Sequence, residues 1–423
     1  MPSTRRRLLF AAALVAARAP QRARAAALPA IRPARPAPPP IDIGALFPLS
    51  GGRAVLGDES LRGLDLATDA RNAAGGLLGR HLRLVKADAP DPAQAAAQAG
   101  ELIGKAKVAA LFGTGMSALS VAATQVSELA GIPYFELTAI ADSITARGYK
   151  YVFRTCPPAR DFAALAVGAI GETLAPLWHA HAAALRIVIL HEDTLDGTHM
   201  GDLQAQACKT ARLAVTDRLV YPAGPPDLTT PVRRLREARA QVVLHTGSSN
   251  DIILFYRAMA AQGWRPRMVI GASAGYALAD TMQAIGEPLL GCLDAAMPQY
   301  QINPAAAPGS AAIAAAYQQK YGAPPRSGQS LATYAGATVI YDAIARAGSL
   351  DKDRIRAALL ATDIAAHGLA NGWGAAFDSS GQNTRALPTL MQWQRGAAGQ
   401  PGVPVTVAPA DLAVARARAA MGR

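Results

Sequence analysis

The chain has 423 residues, of which 51% are hydrophobic and only 5% aromatic, and this length suffices for two large domains. No window reaches the ~18–20 apolar residues of a membrane span, so we expect a protein that is not membrane-embedded. Eight of the twelve net positive charges come from arginines that precede Asp42, which leaves the body only weakly basic. Its charges are scattered and do not alternate with aromatic residues, which argues against nucleic-acid binding.

The first 27 residues predict a signal peptide. Residues 4–9 (TRRRLL) match the twin-arginine pattern, residues 8–17 form an apolar core too short to span a membrane, and small residues at 23–25 suit cleavage. Arginine pairs also occur in Sec signals, so we expect a periplasmic protein exported by either route. A disordered basic tail is the alternative interpretation. Residues 28–40 are proline-rich and predict an extended linker.

Residues 41–88 predict a strand, a loop, a helix, a turn and a second strand. Residues 41–47 are an apolar run typical of a strand buried on both faces, and the Pro-Leu-Ser-Gly-Gly segment after them ends it. Leu61 and Leu64 recur at helical spacing, and Gly75-Gly76 ends the helix with residues that tolerate a left-handed backbone.

Candidate strands and helices alternate through two sets of about four βα units. Because repeated βα order produces parallel sheets with right-handed crossovers, the pattern predicts an α/β fold of two doubly wound, Rossmann-like lobes. After residue 298 the pattern becomes helical. The predicted strands are 41–47, 82–87, 108–112, 134–137, 186–190, 215–220, 242–245, 268–270, 292–295, 374–378 and 387–394. The predicted helices are 59–73, 93–103, 118–130, 162–179, 200–212, 228–238, 251–262, 278–285, 311–321, 330–347 and 351–360.

The segment Gly113-Thr114-Gly115-Met116-Ser117 follows a predicted strand and opens a helix. Glu136 follows about 20 residues later, which is the spacing of a dinucleotide-binding fingerprint and its acidic ribose partner. The free N–H groups of any helix N-terminus also bind anions. Three interpretations stay open: contact with a carboxylate or other polar ligand, plain helix capping, and a dinucleotide site.

The segment Gly271-Ala272-Ser273-Ala274-Gly275 has the G-x-S-x-G form of a hydrolase nucleophile turn. Asp294 or Asp342, and then His367, follow in the chain order of α/β hydrolases. A serine hydrolase acting through Ser273 is therefore an alternative function. However, Gly and Ala are so common here that a chance match is plausible, and no oxyanion motif precedes the serine.

Neither the cysteines nor the histidines show metal-ligand spacing. Cys156, Cys208 and Cys292 are widely separated, which favours small buried thiols over a zinc site. His179 and His181 are two residues apart at a helix end and point in different directions. We expect no metal and no cofactor.

The order of these motifs resembles a known family, the periplasmic solute-binding proteins of branched-chain amino acid type, which have the type I binding-protein fold and serve ABC importers. The resemblance begins with P-L-S-G at 48–51 and N-A-x-G-G-x-x-G-R at 72–80. It continues through 91–102, 108–117, 131–133, 151–155 and 341–344, and ends with 377–378 and 381–383.

The resemblance implies two lobes joined by three chain crossings, near 156–161, 296–300 and 374–377. Lobe 1 would comprise 41–158 and 297–375, lobe 2 would comprise 159–296 and 376–398, and 399–423 would form a tail. Ligand would bind between the lobes, and the protein would deliver it to a membrane permease as a monomer without enzymatic activity. The ligand site would be lined by Ser50, Gly51, Ser117, Thr138 and Ala139 of lobe 1, and by Asp196, Ser248, Ser273 and Tyr276 of lobe 2.

The sequence departs from the amino-acid binders of this family at three site positions. Ile140 stands where a threonine is expected, Asp196 replaces a tyrosine, and Ser273 stands near the position of the acidic partner of the ligand ammonium. A charge-assisted bond of ~1.5–3 kcal/mol would be lost there, so a carboxylate, an amide or an aromatic acid competes with an amino acid as ligand. Asp196 offers another route to cation recognition. A ligand-sensing regulator of the same fold is a further alternative.

Overall fold

The computed structural model describes residues 38–396 and 402–422, so the predicted signal peptide lies outside the described residues. No helix in this described part is long and apolar enough to cross a membrane. The strands are β1 (Ile41–Phe47), β2 (Leu82–Asp88), β3 (Leu111–Gly113), β4 (Tyr134–Glu136), β5 (Val152–Arg154), β6 (Ile187–Asp193), β7 (Val215–Pro222), β8 (Val242–Thr246), β9 (Met268–Gly271), β10 (Leu293–Ala296), β11 (Thr389–Gln394) and β12 (Val403–Ala408). The α-helices are α1 (Ala54–Ala73), α2 (Pro92–Gly104), α3 (Ser117–Ala130), α4 (Ser143–Ala146), α5 (Ala159–Ala169), α6 (Ala175–Leu177), α7 (Leu195–Thr210), α8 (Thr229–Glu237), α9 (Ser249–Ala261), α10 (Ala279–Ile285), α11 (Ser310–Tyr321), α12 (Gly328–Ala347) and α13 (Lys352–Leu360).

The first sheet forms the core of lobe 1. Its five strands are all parallel and follow the order β2-β1-β3-β4-β5, with Ile41 opposite Leu82 and Gly44 opposite Leu111. The strand order therefore reverses at β1, because β2 lies on one side of it and β3 on the other. The loops after β1 and β3 diverge at this point. Such a switch point leaves a crevice at the carboxyl ends of the strands.

Helices α1 and α12 pack closely in the same lobe. A Cβ atom on Gly63 would lie 2.2 Å from the backbone oxygen of Ser330, so this contact requires a residue without a side chain. Glu59 of α1 is buried there, and its carboxylate accepts hydrogen bonds from Tyr317 at 2.6 Å and from Ser330. These contacts join the first helix of the lobe to helices that occur late in the chain.

The second sheet forms the core of lobe 2. Its seven strands follow the order β12-β11-β10-β9-β8-β6-β7, and β6 to β10 are parallel. The switch point lies at β6, between β7 and β8. Strands β11 and β12 pair antiparallel at the other side of the sheet. The two sheets and their helices confirm the predicted two-lobed α/β fold.

Three chain segments connect the sheets. The first lies between β5 and α5 and the second follows β10. The third comes later than predicted, because residues 377–383 still lie at the edge of the first sheet. There Arg154 forms a parallel bridge with Gln382 and Phe377 an antiparallel bridge with Asn383. Residues 374–378 form isolated bridges rather than the predicted strand, and the crossing lies between Asn383 and Thr389.

The C-terminal segment is part of lobe 2 rather than the separate tail that the sequence predicts. Strand β12 pairs with β11, and Thr406 is fully buried. Farther along, Ala419 accepts a hydrogen bond from the indole of Trp178 at 2.7 Å, and Met421 packs in the core. The segment has weak periodicity of its own, and its pairing with distant residues determines its structure.

Candidate functional site

A cavity of about 170 Å³ lies between the two lobes, at the carboxyl ends of their strands. In lobe 1 it is lined by loops that follow β1, β3 and β4, and in lobe 2 by loops that follow β6, β8 and β9. The segment after β10 closes one side. The apolar part of the cavity lining includes Leu56, Met116, Ile140, Phe162, Met200 and Leu278. A cavity of roughly 150 Å³ holds a benzene ring in another protein, so this one suits a molecule with a single ring or a short side chain.

Glu136 organises two of the three loops through which lobe 1 reaches the cavity. Its buried carboxylate accepts hydrogen bonds from the backbone N–H groups of Thr114 (2.9 Å) and Gly115 (3.2 Å) after β3, and of Ala139 (2.8 Å) after β4. Burial raises the pKa of Glu136, although hydrogen bonds from Ser120 and the backbone oppose the rise. The carboxylate is therefore occupied inside the protein, and the dinucleotide interpretation, in which it binds a ribose, is wrong.

Ser117 and Thr138 line the cavity from lobe 1. Ser117 is the first residue of α3, where the helix dipole and the unpaired N–H groups favour an anion. Its hydroxyl oxygen accepts a hydrogen bond from the Ala141 N–H at 3.2 Å, so the hydroxyl hydrogen can be donated into the cavity. The Thr138 hydroxyl lies 3.5 Å from that of Ser60.

Three further residues predicted for lobe 1 do not line the cavity as expected. The Ser50 hydroxyl donates to Asp88 at 2.5 Å on the outer strand β2, and Gly51, the first residue of the turn Gly51–Arg53, is not among the residues that line the cavity. Gly52 and Arg53 reach the cavity instead. Ala139 is buried behind the lining, where its carbonyl faces Arg154 at 3.4 Å.

In lobe 2, Asp196, Ser248 and Ser273 line the cavity. Ser248 caps α9 by accepting from the Asp251 N–H at 3.3 Å, and Asp251 accepts from the Ser248 N–H in return. The Ser273 hydroxyl donates to the Gly247 carbonyl at 3.0 Å. Both serines thus hold neighbouring cavity loops in place.

Tyr276 lies beneath the cavity rather than in its lining. It is fully buried, and its hydroxyl lies 2.5 Å from Nδ1 of His245, whose Nε2 lies 3.1 Å from the Tyr221 hydroxyl. Burial lowers the pKa of His245 to about 3, so the ring is neutral and bridges the two phenols. A Cβ on Gly271 would lie 2.4 Å from the Tyr276 ring, so this glycine allows the tyrosine to pack under the loop.

Arg53 and Glu192 are cavity residues that the sequence analysis missed. The Arg53 guanidinium, from lobe 1, lies 3.8 Å from Glu192 and 3.7 Å from Asp196, both in lobe 2. Burial raises the pKa of Glu192 to about 7, and Arg53 opposes the rise. Glu192 is the second-last residue of β6, at the switch point of the second sheet, and this place near a strand end was the sequence signal for its position.

The structure separates the residues of the hydrolase alternative. His367 contacts Asp411 at 2.8 Å, Asp342 pairs with Arg71 at 3.0 Å, and Asp294 is buried. None of the three forms a hydrogen bond with the Ser273 hydroxyl, which donates to the Gly247 carbonyl, so the serine has no activating base. Among residues 38–396 and 402–422, no group of three or more His, Cys, Asp or Glu side chains could hold a metal, and the three cysteines are buried and free.

Comparison with known proteins agrees with this architecture. A family profile described as "Periplasmic binding protein" matches residues 40–399. A Leu/Ile/Val-binding protein homolog 8 of Brucella abortus (strain 2308) is 41% identical over 379 residues, which are 89% of this chain and 93% of that protein. The leucine binding protein LivK of Thermotoga maritima has a TM-score of 0.74 at 22% identity and covers 88% of this chain and 100% of its own. A solute binding protein of an ABC transporter from Rhodopseudomonas palustris, solved with 3,4-dihydroxy benzoic acid, has a TM-score of 0.71 at 17% identity and covers 86% and 95%.

Two α/β lobes, with a cavity between the carboxyl ends of their parallel strands, define a bilobal binding protein. The chain belongs to the periplasmic binding protein family, and its similarity is to substrate-binding proteins of ABC transporters of the branched-chain amino acid type, which are not enzymes. The resemblance proposed from the sequence is thereby confirmed.

Proposed function

We propose that this protein is the exported solute receptor of an ABC importer. It binds a small amino acid, amide, carboxylate or aromatic acid between its lobes and delivers it to the membrane permease. The observation that carries the proposal is the cavity itself, which both lobes line at the carboxyl ends of their strands. Closure of the lobes around a hinge would enclose a ligand there.

The cavity lining supports a ligand with an anionic end and an apolar body. Ser117 and the N-terminus of α3 favour a carboxylate in lobe 1, and Leu56, Met116 and Phe162 offer apolar surface. Glu192 and Asp196 place carboxylates on the opposite wall, where they would stabilise a ligand ammonium. These two residues replace the acidic partner that the sequence lacks near Ser273, which supports an amino acid within the ligand range.

The relatives support the same range. The Brucella relative is named a Leu/Ile/Val-binding protein homolog, LivK is a leucine binding protein, and the R. palustris protein was solved with an aromatic acid. Extensive similarity to transporter receptors disfavours the ligand-sensing regulator. The predicted signal peptide supports a periplasmic location.

The proposal is tested by a binding screen and one matched pair of variants. Amino acids, amides and aromatic acids are screened by thermal shift, because a ligand that binds only the folded state raises the melting temperature. For a ligand so found, Ser117→Ala should weaken binding by ~1–3 kcal/mol, roughly 5- to 150-fold, since a hydrogen bond to the ligand anion is lost. Ser143→Ala, at an exposed position on α4, should leave the affinity unchanged.

X-ray scattering supplies the second measurement. Saturating ligand should lower the radius of gyration as the lobes close. A tight ligand that produces no compaction would contradict the hinge mechanism, and a screen in which no compound of these classes binds would contradict the receptor function.

A further inference from the structure

Four residues that line the cavity carry buried polar atoms without a hydrogen-bond partner among residues 38–396 and 402–422. These atoms are Asp196 Oδ1, His199 Nε2, Thr246 Oγ1 and Gln329 Oε1. Thr246 is only 4% exposed and Gln329 only 9%. Most buried polar side-chain atoms in proteins have a partner, so four such atoms around one cavity point to a ligand that supplies the bonds.

The four atoms come from three separate parts of the cavity wall. Asp196 and His199 lie three residues apart in α7 and therefore share one helix face. Thr246 ends β8 in the same lobe, and Gln329 lies in the first turn of α12 in lobe 1. Polar recognition is thus built into both lobes, in addition to the anion-binding end of α3.

We infer that these four residues form a second polar subsite, which selects ligands that carry a neutral hydrogen-bonding group in addition to the carboxylate. This inference rests on the proposed receptor function. Asp196 and Gln329 offer oxygen atoms that only accept, Thr246 can donate and accept, and the unpaired nitrogen of His199 does one or the other. Amide N–H or hydroxyl groups satisfy this set, whereas a second carboxylate would place oxygen against oxygen.

A purely aliphatic side chain fits this subsite poorly. If a leucine or valine side chain filled the space and excluded water, His199 Nε2, Thr246 Oγ1 and Gln329 Oε1 would stay buried and unpaired, even with the ligand ammonium bound to Asp196. Each unpaired atom reduces the affinity by about 5- to 150-fold relative to a ligand that bonds to it. The subsite therefore favours neutral polar side chains over the aliphatic ligands after which the Brucella relative is named.

Calorimetric titration of the full mature chain with two pairs of nearly isosteric amino acids tests this inference. The two amino acids of each pair differ in polarity and little in shape. We expect L-asparagine to bind at least about 10-fold more tightly than L-leucine, or L-threonine to bind at least about 10-fold more tightly than L-valine. L-Aspartate should bind more weakly than L-asparagine.

Two variants locate the preference at the subsite. Thr246→Val removes the hydroxyl at constant size, and His199→Leu removes the ring nitrogens. Each should reduce the polar-to-aliphatic affinity ratio by about 5-fold or more. The controls Thr210→Val and His181→Leu change exposed residues outside the cavity and should keep the wild-type ratio. Unchanged circular dichroism and melting temperature verify that each variant folds.

The outcomes separate this inference from the proposed function. Equal or tighter binding of leucine and valine, or a ratio that neither variant changes, overturns the subsite and leaves the receptor function intact. Binding of aromatic acids alone, without any of the amino acids, also overturns it while the receptor function stands. Absence of binding by every amino acid, amide and aromatic acid overturns both.

Discussion

The guanidinium of Arg53 in lobe 1 lies 3.8 Å from the carboxylate of Glu192 in lobe 2, so an ion pair spans the cleft at the candidate site. The separation exceeds that of a hydrogen bond, and the Arg53 side chain is 32% exposed. The pair therefore attracts the lobes towards each other weakly, at a position that a ligand would also contact.

Replacement of Arg53 by glutamine should favour the open arrangement of the lobes. The attraction across the cleft is lost, and Glu192 and Asp196 then face the cavity without a cation. Because the arginine is partly exposed, we expect a change of at most about 1 kcal/mol, seen as a larger radius of gyration of the ligand-free protein. Arg83→Gln removes an arginine that pairs with Asp42 within lobe 1, and it should leave the radius unchanged. Equal radii of gyration for the wild type, Arg53→Gln and Arg83→Gln would show that the Arg53–Glu192 pair does not influence closure of the lobes.

Glu192 should make the stability of the protein depend on pH. Burial raises its pKa from 4.5 to about 7, so between these values the folded state holds a proton that the unfolded state releases. Its contribution to the free energy of unfolding, roughly 3 kcal/mol, is present below pH 4.5 and is lost as the pH rises through 7.

Chemical denaturation of the wild type and of Glu192→Gln between pH 4.5 and 8 measures this contribution. The difference between the two proteins should change with pH, since glutamine does not titrate. Glu237→Gln, at an exposed position on α8, should follow the wild-type curve. A constant difference between wild type and Glu192→Gln would refute the raised pKa.

Replacement of Glu136 by glutamine should destabilise lobe 1 and loosen its cavity loops. The carboxylate accepts hydrogen bonds from both loops, and a glutamine NH₂ group would face backbone N–H groups that need an acceptor. We expect a loss of about 2–4 kcal/mol in the free energy of unfolding and weaker ligand binding. Glu101→Gln, at an exposed position on α2, serves as the control and should keep the wild-type stability. Wild-type stability of Glu136→Gln would contradict the role assigned to this carboxylate.

Ser273 should not react with a fluorophosphonate probe. Its hydroxyl donates to the Gly247 carbonyl at 3.0 Å, and His367 pairs with Asp411 instead of activating it. Mass spectrometry after incubation with the probe should show unmodified protein, with a known serine hydrolase as the positive control. Stoichiometric labelling that disappears in Ser273→Ala would restore the hydrolase hypothesis.

The export route can be tested on the precursor. If residues 4–9 direct twin-arginine export, substitution of Arg5 and Arg6 by lysine should leave precursor in the cytoplasm, as detected by fractionation and immunoblotting. Export of the unchanged precursor in a strain without the twin-arginine translocase would instead assign the Sec route.

Local patterns in the sequence determined most of the fold. The strand Ile41–Phe47 has the bounds that its apolar run predicts, because a strand buried on both faces has a continuous apolar sequence. Helix α13 lies within the predicted range 351–360, and Asp351 caps it because an aspartate before a helix satisfies N–H groups within a few residues. The family resemblance implied Ser117, Ser248 and Ser273 as ligand-site residues, and all three line the cavity, where loops after parallel strands converge at one edge of a sheet.

Tertiary structure decided the features whose partners lie far apart in the chain. Strand β12 contains Pro404, which suits only an edge strand, and its pairing with β11 provides the structure that its own sequence does not specify. Arg53 and Glu192 become neighbours only when the two lobes face each other. Local periodicity reports which face of an element is buried, whereas the atoms that meet across a cleft depend on how separately formed sheets are joined.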